Sequence, residues 1–135
     1  MAVDAVWTDS RGRYVDSPGE EYIAGAVENA GELGVAYAGT TWELSARVRY
    51  LGAYPLIEDN SQRAEPETHI NLRAAWKRDR WNVYGEVLNV LDDSAKDIVY
   101  WYESFVAGYD TVPTEGRVSR AEEPRTVRVG IKYFF

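Results

Sequence analysis

The feature that most constrains this chain is the strict alternation of its last ten residues. From Thr126 the sequence reads TVRVGIKYFF. Val127, Val129, Ile131, Tyr133 and Phe135 fall on one side of a two-residue period, and Thr126, Arg128, Gly130, Lys132 and Phe134 on the other. A β-strand points successive side chains to opposite faces, so this is the strand template, with one face entirely large and apolar. The pattern repeats upstream. Trp42, Leu44, Ala46, Val48 and Tyr50 oppose Glu43, Ser45, Arg47 and Arg49; Ile70, Leu72, Ala74 and Trp76 oppose Asn71, Arg73 and Ala75. Trp81, Val83, Gly85 and Val87 oppose Asn82, Tyr84 and Glu86, and Leu33, Val35 and Tyr37 oppose Gly34 and Ala36. Val3, Ala5 and Trp7 against Asp4, Val6 and Thr8 make a weaker case.

The alternation predicts an all-β chain of about six antiparallel strands, roughly over 2–14, 27–38, 41–54, 67–77, 80–103 and 124–135. The joints alternate in length. Short turns fall at Ala38-Gly39-Thr40 and Lys77-Arg78-Asp79-Arg80, and long polar loops at 15–26, 55–66 and 104–123. Short turns at one end and long loops at the other are what an up-and-down transmembrane barrel shows. Within 18–30, Tyr22, Ile23, Ala26, Val27 and Ala30 stand at helical spacing behind Pro18. Gly25 and Gly31 weaken a helix, and 15–26 is read as loop.

Two kinds of sheet fit the alternation. A small soluble barrel or sandwich also alternates, and it solvates its polar face equally well. Three features favour a membrane wall. Aromatic residues sit at strand ends (Tyr37, Trp42, Tyr50, Trp76, Trp81, Tyr133, Phe135), where barrels carry girdles at the bilayer interfaces. Charged residues stand in mid-strand on the opposite face. The chain stops on Phe135 within its last strand. No run approaches the ~20 apolar residues of a membrane helix. The mean hydropathy of -0.43 does not discriminate, because only alternate residues of a barrel strand meet lipid.

Composition removes other classes. A net charge of -7 argues against nucleic acid, whose phosphates need a basic surface. There is no cysteine and a single histidine, His69, so thiolate and histidine metal centres are not supported. Asp92, Asp93, Asp97 and Glu103 match no calcium-loop spacing. No nucleophile elbow or phosphate-binding glycine loop is present, which points away from an enzyme or a cofactor.

Several short elements resemble those of TonB-dependent receptors, and together they run over nearly the whole chain. Leu88-Asn89-Val90-Leu91-Asp92-Asp93 resembles the N-L-F-D element of the penultimate barrel strand, with Val90 and Leu91 where Leu and Phe are usual. Pro124-Arg125-Thr126 resembles the P-R-T start of the last strand, and Gly130–Phe135 its aromatic ending. Arg49-Tyr50-Leu51-Gly52 with Glu58-Asp59-Asn60 resembles R-Y-x-G … D-D-N, and Ile23-Ala24-Gly25-Ala26 resembles I-P-G-A with alanine for proline.

The resemblance implies that residues 1–135 are the C-terminal part of a barrel domain in the outer membrane of a Gram-negative-type bacterium. The expected function is energised uptake of a scarce nutrient such as a ferric siderophore. A plug domain, the earlier strands and the segment that contacts TonB would belong to the rest of such a protein. Met1–Ser10 lack the basic start and apolar run of a signal peptide. Six strands also fall short of the ~8 of the smallest membrane barrels, so the chain is read as an incomplete barrel.

Three groups of residues are then expected to matter. Val127, Val129, Ile131, Tyr133 and Phe135 form the C-terminal signal for the outer-membrane assembly machinery. Arg47, Arg49, Arg73, Glu86, Arg128 and Lys132 face the lumen, to contact the plug or a ligand or simply to form a solvated wall. Tyr100, Trp101 and Tyr102 line the extracellular mouth, or pack on their neighbours in a strand that projects above the membrane. A soluble barrel that binds a small apolar ligand and a small stand-alone outer-membrane barrel are the alternatives.

Overall fold

The computed structural model describes residues 1–93, 96–121 and 123–135, with 96–98 described by backbone alone. The chain is all-β and antiparallel, and none of its described residues is helical. Eight strands run in order: β1 (Ala2–Asp9), β2 (Asn29–Ala38), β3 (Trp42–Leu51), β4 (Glu67–Arg78), β5 (Trp81–Leu88), β6 (Lys96–Ser104), β7 (Thr114–Ala121) and β8 (Thr126–Tyr133). Six of them form one meander in the order β1-β2-β3-β4-β5-β8, while β6 and β7 form a separate two-stranded sheet. The six-stranded sheet is open, with β1 and β8 at its edges.

The register keeps the two faces distinct. Leu33 lies opposite Val48, which lies opposite Ile70; Leu72 lies opposite Val87, which lies opposite Val127. In a two-residue period one slip would carry every apolar residue to the other side, so in-phase pairing across six strands yields one apolar and one polar face. Among the described residues no second layer packs on the apolar face. Val129 is 73% exposed, Val127 67%, Ile131 64% and Trp7 63%.

The strand expected over 80–103 is two strands. Asn89 and Asp92 adopt left-handed backbone (φ 49° and 53°), which short polar side chains tolerate. The Asp92 amide donates to the Asn89 carbonyl at 2.9 Å and closes a turn that ends β5 at Leu88. The loop expected over 104–123 contains β7. Its sequence TEGRVSRA has one large apolar residue and no alternation, so it forms by pairing with β6 and not by its own pattern. The strand expected over 2–14 ends at Asp9. Residues 15–26 are loop, with Gly19 (φ 86°) and Gly25 (φ 75°) in backbone that would break a helix.

The buried apolar residues sit mainly at the long-loop end. Tyr54, Leu56, Ala64 and Val99 form a small cluster joined by Val27, Leu51 and Trp101, and Pro55 is fully enclosed. This cluster ties the β3–β4 loop to the β6–β7 hairpin. The β1–β2 loop joins them through Tyr22 N–H to the Glu58 carbonyl at 2.9 Å and Gly25 N–H to the Pro55 carbonyl at 2.8 Å.

Candidate functional site

The candidate site is the polar face of the six-stranded sheet with the loop cluster at its end. Pairing across the meander sets carboxylates against cations. Arg47 on β3 bonds Glu32 on β2 and lies 3.7 Å from Asp4 on β1. Arg73 on β4 bonds its register partner Glu86 on β5, and Lys77 on β4 bonds Glu43 on β3. Arg128 on β8 lies 3.6 Å from Glu123. The ladder links every strand from β1 to β5. These pairs are largely exposed, and each contributes at most about 1 kcal/mol in water. They matter more for how little net charge the face presents.

Of the charged residues singled out from sequence, Arg47, Arg49, Arg73, Glu86, Arg128 and Lys132 all fall on this face. Arg47, Arg73 and Glu86 are already engaged within the wall. Arg49 lies opposite Glu32 on one side and His69 on the other. Lys132 is exposed opposite Asn82. Sequence reasoning did not single out Asp4, Glu32, Glu43 and Lys77, although their parity in the alternation would have found them.

Two hollows lie on the polar face, of about 250 and 270 Å3. The first is lined by Glu32, Arg49, His69, Asn71, Asn89 and Glu123, among others. It lies against the neck of the β6–β7 insertion. There the Asn89 amide N–H donates to Asn71 Oδ1 at 3.0 Å, and Asn89 Nδ2 donates to the carbonyls of Asp93 and Glu123 at 3.0 and 3.3 Å. Asp92 accepts from the Arg125 amide and guanidinium, each at 3.0 Å. The L-N-V-L-D-D and P-R-T stretches are therefore the two sides of one clasp. It holds the ends of β5 and β8 together where the hairpin leaves the sheet. Asp92 is thus engaged by Arg125, and the side chain of Asp97 lies outside the described residues. Among the described residues no three potential ligands cluster to hold a metal ion.

A second polar centre pins the loops. Glu28 accepts from Arg63 at 2.6 Å and from Arg13 at 3.0 Å. The Arg63 hydrogen bond, reinforced by Arg13, holds the Glu28 carboxyl below its usual range despite partial burial. Arg13 also lies over the Tyr22 ring, 3.9 Å from its centroid. Arg63 reaches the Ala53 carbonyl at 2.9 Å, and Arg117 of β7 donates to the Arg63 carbonyl at 2.8 Å. Burial pushes the Tyr54 phenol up, opposed by a hydrogen bond from the Val99 backbone.

The three aromatic residues proposed for the mouth divide between two faces of β6. Trp101 packs against the loop cluster, while Tyr100 and Tyr102 are 59% and 48% exposed on the other side. The five C-terminal residues Val127, Val129, Ile131, Tyr133 and Phe135 share the apolar face. Tyr133 touches Trp81 (4.7 Å between ring centroids) and meets Phe135 edge-on at 5.2 Å.

The aromatic residues of the apolar face form two rows. Trp42 and Trp76 are register partners, and with Trp81, Tyr133 and Tyr37 they mark the short-turn end. Trp7 and Tyr50 stack at 5.8 Å and 10° at the long-loop end. Trp42 and Tyr50 are eight residues apart on β3. That is about 27 Å along the strand, or about 21 Å of height at a tilt of ~40°, close to the ~25 Å apolar band of a membrane barrel. Comparison with known protein families and with curated protein sequences finds no match.

Proposed function

We propose that this sheet is a stretch of the wall of an outer-membrane β-barrel, with its apolar face in lipid and its charged face toward the lumen. The carrying observation is the unbroken apolar face between two aromatic rows, backed by a self-neutralising ladder of charges. A soluble domain would bury such a face against a second layer, and leaving it in water would favour aggregation. The short motifs extend this reading to the C-terminal part of a TonB-dependent receptor that takes up a scarce nutrient such as a ferric siderophore. Arg49, Lys132 and the hollow beside Asn89 would then face the plug or the passing ligand. Exposed Tyr100 and Tyr102 would stand at the mouth, and β8 would carry the assembly signal.

The chain has no cysteine, so single cysteines can be placed without background. In outer-membrane preparations, cysteines at Val127, Val129 and Ile131 should resist a water-soluble maleimide, whereas those at Arg128 and Lys132 should react. Equal reactivity at both sets would remove the membrane reading. For transport, disrupting the gene should lower uptake of labelled ferric siderophore under iron limitation to the level set by a protonophore. Unchanged uptake would remove that substrate class.

A further inference from the structure

We infer that the short-turn end of the sheet is a binding site for one anionic phospholipid of the adjoining leaflet. The inference rests on the membrane reading above and adds a specific lipid to it. Three features converge. The first is charge. Although the chain carries -7, the β4–β5 turn reads Lys77-Arg78-Asp79-Arg80. Lys77 is taken by Glu43. Arg78 meets only its neighbour Asp79, at 3.9 Å with both side chains over 70% exposed, a contact of little strength. Arg80 is exposed and has no ion pair among the described residues. Both arginines are exposed at the rim of the sheet, Arg78 on the apolar-face side opposite Trp81 and Arg80 on the other side of the turn, and a guanidinium fork suits phosphate oxygens.

The second feature is the row of Trp42, Trp76 and Trp81 beside that turn, at the depth where indoles meet glycerol and headgroups. The third lies just inside the row. An apolar trough of about 640 Å3 crosses β2, β3, β4 and β5, lined by Tyr37, Leu44, Leu72, Ala74, Gly85 and Val87 among others. A Cβ at Gly85 would meet no atom nearer than 4.0 Å, so the trough is open there. Ala74 is two residues, about 7 Å, from Trp76 along the strand. A phosphate at Arg78, with Arg80 adding positive charge from across the turn, a glycerol at the indoles and an acyl chain in the trough therefore follow one another in the order a phospholipid requires. Within the apolar band the occupant adjoining this face is an alkyl chain, and the arginines select an anionic one.

The test uses the full chain with Trp7→Phe, so that the lipid-facing tryptophans left are those of the short-turn end. Fluorescence is read in phosphatidylcholine vesicles that contain a minority of acyl-brominated phosphatidylglycerol or, separately, acyl-brominated phosphatidylcholine. Phosphatidylglycerol should quench with an apparent association about fivefold higher or more, following the gain of ~1 kcal/mol per basic residue near anionic lipid. Arg78→Gln with Arg80→Gln should bring the ratio to about one, and so should 0.5 M salt through screening. Gly85→Leu, which fills the trough and leaves the arginines, should also lower it. A preference that survives Gly85→Leu would reduce the effect to general surface attraction and overturn the site. Equal quenching by the two brominated lipids in the unsubstituted turn would overturn it as well. Absence of quenching by either lipid would remove the membrane reading itself, and the site with it.

Discussion

Ala46 and Ala36 offer a direct test of the two faces. Ala46 stands four residues from Trp42 and four from Tyr50, at the centre of the apolar band. It lies on the apolar face between Val35 and Leu72. Ala36 lies at nearly the same depth on the polar face, between Ala2 and Ser45, with Asp4, Glu43 and Arg47 as charged diagonal neighbours. Arginine at Ala46 would have about 14 Å of strand to either aromatic row, too far for its guanidinium to reach water. The cost for arginine at the midplane of a barrel is about 2–4 kcal/mol, or roughly 30- to 900-fold in the folding equilibrium. Arginine at Ala36 would meet small neighbours, two carboxylates and one guanidinium, so its effect should stay within about 0.5 kcal/mol. Urea titration of the chain refolded into phosphatidylcholine bilayers, followed by tryptophan fluorescence, measures both. If Ala36→Arg costs as much as Ala46→Arg, the assignment of faces to lipid and lumen is wrong.

Two further outcomes follow from particular contacts. Folding lowers the Glu28 pKa, so the stabilisation this carboxylate contributes is present above its ordinary value near 4.5 and fades as pH falls through the lower folded value. Amide exchange at Tyr22 and Gly25, corrected for intrinsic rates, should accelerate below that pH, and Glu28→Gln should erase the pH dependence; a pH-independent profile would remove the role of Glu28 in pinning the loops. A methyl at Gly130 would overlap the Tyr84 ring, which Arg73 covers 4.4 Å from its centroid. Gly130→Val should therefore cost about 1–3 kcal/mol by overpacking. It should cost much less in a Tyr84→Ala background, and additive effects in that double-mutant cycle would exclude the contact.

The alternation alone determined the strand identity of β2, β3, β4, β5 and β8, and which residues share a face. Side-chain direction in a strand depends only on parity, so Arg47, Arg73 and Glu86 could be assigned to one face before any pairing was known. Pairing decided what they do there. Sequence distance does not show that Glu32 reaches Arg47, or that Asp4 joins them, because the register depends on how each hairpin closes. The division of 80–103 was legible in principle. Asn89 and Asp92-Asp93 are turn formers in a run far longer than the ~9–11 residues that cross a membrane. By contrast, β7 was not legible, because TEGRVSRA carries no period and takes its conformation from β6. The clasp between Asp92 and Arg125 was equally hidden, since its two sides lie 33 positions apart. Local pattern sets the faces of each strand, because it acts through covalent geometry. Register, the loop cluster and the hairpin neck come from contacts between distant residues, and only the tertiary structure brings those together.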